Sequence, residues 1–210
     1  KNFQITGKTF ERLSIELSYQ NGDLTARSME GGISGARFSG GGSMKINDAE
    51  GLPWRLRLVL DKQDFQPICR ALRLPPVPVV TRLSGTLSAS GSMRDGPKQF
   101  TAEFGLQDFE LTPAPEFKKR IMGWRQAALK ASGVFNAGRL ELQASLEPAH
   151  GRLNIDGWIS KQNMLLNATG KGMDVADFSP IGVFAMSGKG EMQATATASF
   201  PAFKIDGNFK

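Results

Sequence analysis

The stretch Trp54-Arg55-Leu56-Arg57-Leu58-Val59-Leu60 runs straight into Asp61-Lys62-Gln63-Asp64-Phe65-Gln66-Pro67-Ile68, and these residues decide the fold. The first seven alternate. Trp54, Leu56, Leu58 and Leu60 face one way, and Arg55, Arg57 and Val59 the other, the pattern of a strand with one buried and one wet face. The next eight break the alternation. Asp64 is placed to cap a short helix from Phe65 to Leu72, with Pro near its start where a missing N–H costs nothing. The same pattern, D-x-x-D-F-x-P-I, returns 113 residues later as Asp174-Val175-Ala176-Asp177-Phe178-Ser179-Pro180-Ile181. Each copy follows an apolar run and leads to a small-residue step, Leu83-Ser84-Gly85 or Met186-Ser187-Gly188. Such self-similarity reads as an internally repeated β protein. The competing reading is two unrelated loops that both use Asp and Pro to turn.

Outward from this stretch, period two recurs. Leu13, Ile15, Leu17 and Tyr19 alternate with Ser14, Glu16 and Ser18, and Asn21-Gly22 supplies a tight hairpin turn. Gly31-Gly32 and Gly40-Gly41-Gly42 read as punctuation between short strands. Pro75 to Pro78 form an extended connector. Alternation resumes at Leu83 to Met93, turns at Asp95-Gly96-Pro97, and returns through Phe100, Ala102, Phe104 and Leu106. Later runs are Leu140 to Leu146, Leu153 to Ile159, Met164 to Thr169, Met192 to Phe200, and Phe203 to Phe209. About twelve to fourteen short strands in meandering hairpins are expected.

One segment departs from this plan. Phe117, Ile121, Trp124 and Ala128 fall at the spacing of one helical face, with Lys118, Lys119, Arg120, Arg125 and Lys130 around it. The spacing predicts an amphipathic helix near 115–130, ended by Ser132-Gly133. Phe117, Ile121 and Trp124 would then serve as a lid or membrane-surface helix, or simply pack on the sheet.

Composition narrows the chemistry. The chain of 210 residues holds 24 Gly, is 40% hydrophobic and 22% charged, and is expected to fold. Its net charge of +6 suits an anionic partner, but the basic residues do not interleave with aromatics as on a nucleic-acid platform, so no nucleic-acid partner is expected. One cysteine, Cys69, excludes an intramolecular disulfide and a cysteine-based metal site. The single His150 lies in a turn, without a nucleophile motif near it. The pairs Asp61/Asp64 and Asp174/Asp177 read as turn and cap residues. Gly40 to Gly42 and Gly170-Lys171-Gly172 lack the spacing of a phosphate loop. No catalytic residue, metal or cofactor is expected. No run approaches the ~18–20 apolar residues of a membrane span. A chain that begins at Lys1 is expected to be one segment of a longer protein.

Residues 54–209 resemble the repeating units of AsmA-like bacterial envelope proteins, the group that includes TamB. In that group a strand leads to a short D-L/F-x-P-I/L helix, then L-x-G-x-L-x-x-x-G, then a strand pair. Here these motifs read Asp64-Phe65-Gln66-Pro67-Ile68 with Leu83-Ser84-Gly85-Thr86-Leu87-Ser88-Ala89-Ser90-Gly91, and Asp177-Phe178-Ser179-Pro180-Ile181 with Ser187-Gly188-Lys189-Gly190-Glu191-Met192. Phe200-Pro201-Ala202-Phe203-Lys204-Ile205-Asp206-Gly207 is similar to the family's closing return. The resemblance implies an elongated, strongly curved antiparallel sheet, a half-pipe with an apolar concave face, and a single groove segment over residues 1–210 with marks at 61–68 and 174–181. It implies an anchor in the inner membrane, a periplasmic location, and carriage of phospholipid between the two membranes. A binding module for outer-membrane protein assembly, pairing client strands by β-augmentation, is the alternative. The implied groove residues are Leu56, Leu58, Leu60, Leu87, Phe100, Phe104, Leu140, Leu142, Leu153 and Ile155; in an ordinary β protein the same positions would be core.

Overall fold

The computed structural model describes residues 3–5, 8–47, 51–72, 79–111, 122–177, 188–199 and 202–210. These form β1 (Phe3–Ile5), β2 (Lys8–Gln20), β3 (Asp23–Ile33), β4 (Ala36–Lys45), β5 (Pro53–Asp64), α1 (Phe65–Leu72), β6 (Val79–Ser92), β7 (Gly96–Leu111), β8 (Met122–Asn136), β9 (Arg139–Pro148), β10 (Arg152–Ser160), β11 (Asn163–Asp174), β12 (Lys189–Ser199) and β13 (Ala202–Phe209). A 3-10 turn, Val175–Asp177, follows β11. The mainly β, antiparallel expectation holds, and α1 spans the residues predicted for it. Strand order is sequence order, and the sheet is not closed. The chain divides into two units, Lys1–Phe104 and Gly105–Lys210, with the boundary inside β7.

In the first unit, two-residue loops join β2 to β3 at Asn21-Gly22 and β3 to β4 at Ser34-Gly35. All four residues have positive φ, between 52° and 86°, the conformation whose twist matches that of the flanking strands. The strands are therefore longer than the sequence suggested. Gly31-Gly32 lies inside β3 and Gly40 to Gly42 inside β4, not in turns. The reason is contact, not flexibility. Gly40 pairs with Leu58, and a side chain there would run into the Arg57 carbonyl oxygen of β5. Between Leu60 and Gln63 the β5–β6 register shifts through a bulge, with Lys62 at φ 48°. Its backbone N–H donates to Ser84 Oγ at 2.9 Å. The bulge redirects the chain into α1, which packs on β3, β4, β5 and β6. Cys69 of α1, Ala36, Thr81 and Leu83 are buried.

In the second unit the helix expected near 115–130 is absent over the described part of that range. Residues 122–131 belong to β8, whose residues 127–136 pair one by one with β9. Leu129, Ala131, Gly133 and Phe135 continue the period of two, and the Ala137-Gly138 loop returns the chain with both residues at positive φ. Only Trp124 and Ala128 of the supposed helical face lie in described residues, and a spacing of four is also an even number of strand positions. Pairing along the whole of β9 overrode the local pattern. Ser132-Gly133, expected to end a helix, lies mid-strand. Phe117 and Ile121 fall outside the described residues, as do Pro75 to Pro78 and Phe178 to Ile181.

Candidate functional site: a one-sided apolar face

Directly paired residues of an antiparallel ladder share a face. In the second unit, the registers of β8 through β13 define four cross-strand rows. They are Leu129–Leu146–Leu153–Gly170–Met192–Phe209, Ala131–Ala144–Ile155–Ala168–Ala194–Gly207, Gly133–Leu142–Gly157–Leu166–Ala196–Ile205, and Phe135–Leu140–Ile159–Met164–Ala198–Phe203. Every position is apolar or glycine. The alternate rows are largely polar; one reads Ser132–Gln143–Asp156–Asn167–Thr195–Asp206. At ~4.8 Å per strand, six strands make this face about 24 Å wide. The first unit repeats the arrangement over β2 to β6: Tyr19–Leu24–Met44–Trp54–Gly91, Leu17–Ala26–Gly42–Leu56–Ala89, and Ile15–Met29–Gly40–Leu58–Leu87.

The structure gathers the residues singled out in the sequence onto these faces, in two groups. Leu56, Leu58 and Leu60 stand on β5, with Leu87 paired to Leu58. Phe104 of β7 adjoins this group, since a Cβ on Gly85, which pairs with Leu60, would meet Phe104. Phe100 lies two repeats of the pleat back along β7, on the same face by strand alternation. In the second unit Leu140 pairs with Ile159, Leu142 with Gly157, Leu153 with Leu146, and Ile155 with Ala144. Of the ten, Leu153 alone is buried; the others are half-buried.

That partial exposure is the main property of the face. Side chains of a two-layer sheet protein are buried by the second layer. Here most of the rows are half-buried, and Leu17 and Tyr19 are each 60% exposed.

Burial is instead concentrated at one end of each unit. In the first, α1 provides it. In the second, Leu146, Leu153 and the fully buried Met173 gather beside a bulge between Gly170 and Met173, with Gly172 at φ 62°. The 3-10 turn follows. Asp174 Oδ1 accepts from the Ala176 N–H at 2.9 Å, and Asp177 Oδ2 accepts from the Trp124 indole N–H at 2.8 Å. Trp124 is buried and stacks on Phe109, with ring centroids 5.0 Å apart. It is thus a structural residue of β8 and not part of a lid helix.

Sequence reasoning missed Ile15, Leu17 and Tyr19 as members of the first face, although their alternation was plain. It also missed Met164 and Leu166, which register alone brings into the rows. Among the described residues, no group of three His, Cys, Asp or Glu side chains could hold a metal. His150 is exposed. Burial pushes the Cys69 thiol above its ordinary pKa, against a smaller opposing pull from Arg70 and a backbone hydrogen bond. A thiol held protonated is a poor nucleophile. Comparison with family models, with curated proteins and with solved structures returned no match to this chain.

Proposed function

We propose that this chain is a segment of an AsmA/TamB-like envelope protein that cradles phospholipid acyl chains on its apolar face. The observation that carries the reading is the unbroken set of apolar rows that stays half-exposed. Contiguous apolar patches beyond a few hundred Å² are uncommon on monomers and mark a binding surface. An acyl chain suits such rows because it needs apolar area and no hydrogen-bonding partner. At ~0.8 kcal/mol per buried CH2, a sixteen-carbon chain gains on the order of 10 kcal/mol before entropy losses. In this reading the sheet curves so that the face becomes a groove. The parent protein is anchored in the inner membrane, and the segment lies in the periplasm, passing lipid without covalent chemistry.

Two adjacent substitutions test it. Leu58→Glu places a carboxylate on the apolar face, while Val59→Glu places one on the wet face of the same strand, where Val59 is already 36% exposed. Native mass spectrometry and organic extraction of the protein purified from a Gram-negative host should find phospholipid on the wild type and on Val59→Glu, and little on Leu58→Glu. Phe104→Asp should behave as Leu58→Glu does. Lipid retained equally by folded Leu58→Glu and Val59→Glu would refute the proposal.

A further inference from the structure

On the wet face of a sheet, opposite charges set side by side are favourable and like charges repel. The second unit follows this rule. Arg152 bridges Glu147 at 3.1 Å, Lys204 bridges Asp206 at 2.7 Å, and the Arg139 guanidinium lies 4.4 Å from the centre of the Trp158 ring. The first unit breaks it in the middle of β5. Arg55 and Arg57 stand on the same side, about 7 Å apart along the strand, and both are exposed. Neither side chain has an ion-pair or hydrogen-bond partner among the described residues. Their cross-strand rows are Thr25–Ser43–Arg55–Ser90 and Gly41–Arg57–Ser88. Hydroxyls and one glycine flank the arginines, and no acid stands in either row. Asp61, the nearest acid along β5, lies past Arg57 at the bulge, while on β3 Asp23 faces Lys45 and Glu30 faces Ser39. Gly41 leaves the ground beside Arg57 open, since a Cβ there would lie 2.7 Å from the Ala26 carbonyl oxygen.

We infer that this arginine–hydroxyl patch docks on the phosphodiester headgroups of an anionic lipid bilayer. A guanidinium presents a planar fork of N–H donors that matches a phosphate, and the serine hydroxyls beside it donate to the remaining oxygens. The same chemistry selects a lipid surface over other partners. The two rows hold no apolar or aromatic side chain, so a protein partner would find no anchor to bury. Nucleic-acid bases would find no ring to stack on, because Trp54, the aromatic residue of β5, stands on the opposite face. Headgroup phosphates need only charge and hydrogen-bond donors on an open surface. The chain's net charge of +6 favours approach to a negative membrane. The patch lies on the side of β5 away from the apolar rows, so the inference is independent of what those rows carry.

Vesicle flotation tests it. Wild-type protein should float with phosphatidylcholine vesicles containing about one-third phosphatidylglycerol, stay behind with pure phosphatidylcholine, and be released by high salt. Each arginine at an anionic surface is expected to contribute about fivefold, so the double variant Arg55→Gln, Arg57→Gln should bind about thirtyfold more weakly. Both positions are exposed, and its urea midpoint should match that of the wild type. The double variant Arg152→Gln, Lys204→Gln removes two charges that already have acidic partners and should change binding by no more than about twofold. Phospholipid that co-purifies with the protein should be the same for the Arg55, Arg57 variant as for the wild type. Indistinguishable binding to the two kinds of vesicle would overturn the inference, as would equal losses in the two double variants. Loss of co-purifying phospholipid from the folded Arg55, Arg57 variant would place both properties on one surface and overturn it too. Binding to an oligonucleotide or an acidic peptide, with none to vesicles, would rule out the bilayer as occupant.

Discussion

The strand end at Asp64 and the strand end at Asp174 share a bulge and differ, among the described residues, in the contacts that follow it. In both, a strand shifts register through a bulge two residues before its last pair, with the residue at positive φ being Lys62 in one and Gly172 in the other. In both, the last two ladder pairs follow the bulge: Gln63–Leu83 and Asp64–Arg82, then Met173–Gly190 and Asp174–Lys189. The described residues that follow make different contacts. The first copy lays an eight-residue helix over four strands, and burial of that helix closes the end. The second makes a three-residue 3-10 turn, one fully buried methionine and a carboxylate–indole hydrogen bond. Among the described residues, each unit thus has its apolar face closed at this end by its own set of contacts.

The closure of the second unit should then depend strongly on Met173 and Trp124. The largest effect is expected for Met173→Ala. Removing a fully buried methionine should lower stability by about 2–5 kcal/mol, whereas Met173→Leu should cost less than about 1.5 kcal/mol. Urea titration measures both, and a Met173→Ala cost under about 1 kcal/mol would mean the core of the second unit lies elsewhere. Next is Gly157→Ala. Gly157 has φ 149°, and an added Cβ would strike the Leu165 carbonyl of β11, so the β10–β11 ladder must open. A loss of about 1–3 kcal/mol is expected, against about 1 kcal/mol for Gly138→Ala, which meets nothing. Smaller again is Trp124→Phe, which keeps the stack on Phe109 and removes the donor to Asp177. About 1–2 kcal/mol should be lost, because the acceptor is ionised but part-buried. Asp177→Asn keeps an acceptor and should lose less; an equal loss would show that the charge, not the bond, holds the turn.

How much of this comparison the sequence shows is itself instructive. The pattern D-x-x-D-F-x-P-I repeats at 113 residues, yet the bulged strand ends repeat at 110: Asp64 corresponds to Asp174, not to Asp177. The motif marks the right place but not the register, because a bulge is a backbone event that Lys62 and Gly172 enter with unlike side chains. The apolar faces were legible in Trp54 to Leu60 and Leu140 to Leu146, since alternation is a direct print of the pleat. β8 was not, because Trp124 and Ala128 satisfy both a helical and a strand spacing, and the choice is made by β9. Nor could glycines be sorted from the sequence. Ser34-Gly35 turns the chain while Gly40 to Gly42 do not, and the difference lies in the neighbouring backbone of β5.

The smallest predicted effect sharpens the contrast from the side of the first unit. Cys69 lies on α1 at 3% exposure, while the corresponding closure of the second unit contains no thiol. Burial raises the folded-state pKa of Cys69 above the value the thiol has in the unfolded chain. The folded protein therefore holds this proton more tightly than the unfolded one. Stability should be constant below the ordinary thiol pKa and fall as pH rises through it toward the raised value, as ionisation begins to favour the unfolded chain. In Cys69→Ala that alkaline slope should vanish, on top of a small constant loss from the missing sulfur. Urea midpoints across the alkaline range give both numbers. A thiol-specific reagent should label Cys69 only as fast as α1 opens, so labelling in the folded state at the rate of a free thiol would show that the helix does not close the first unit. Met173 should remain protected in that case, and the two ends would then differ in permanence as well as in construction.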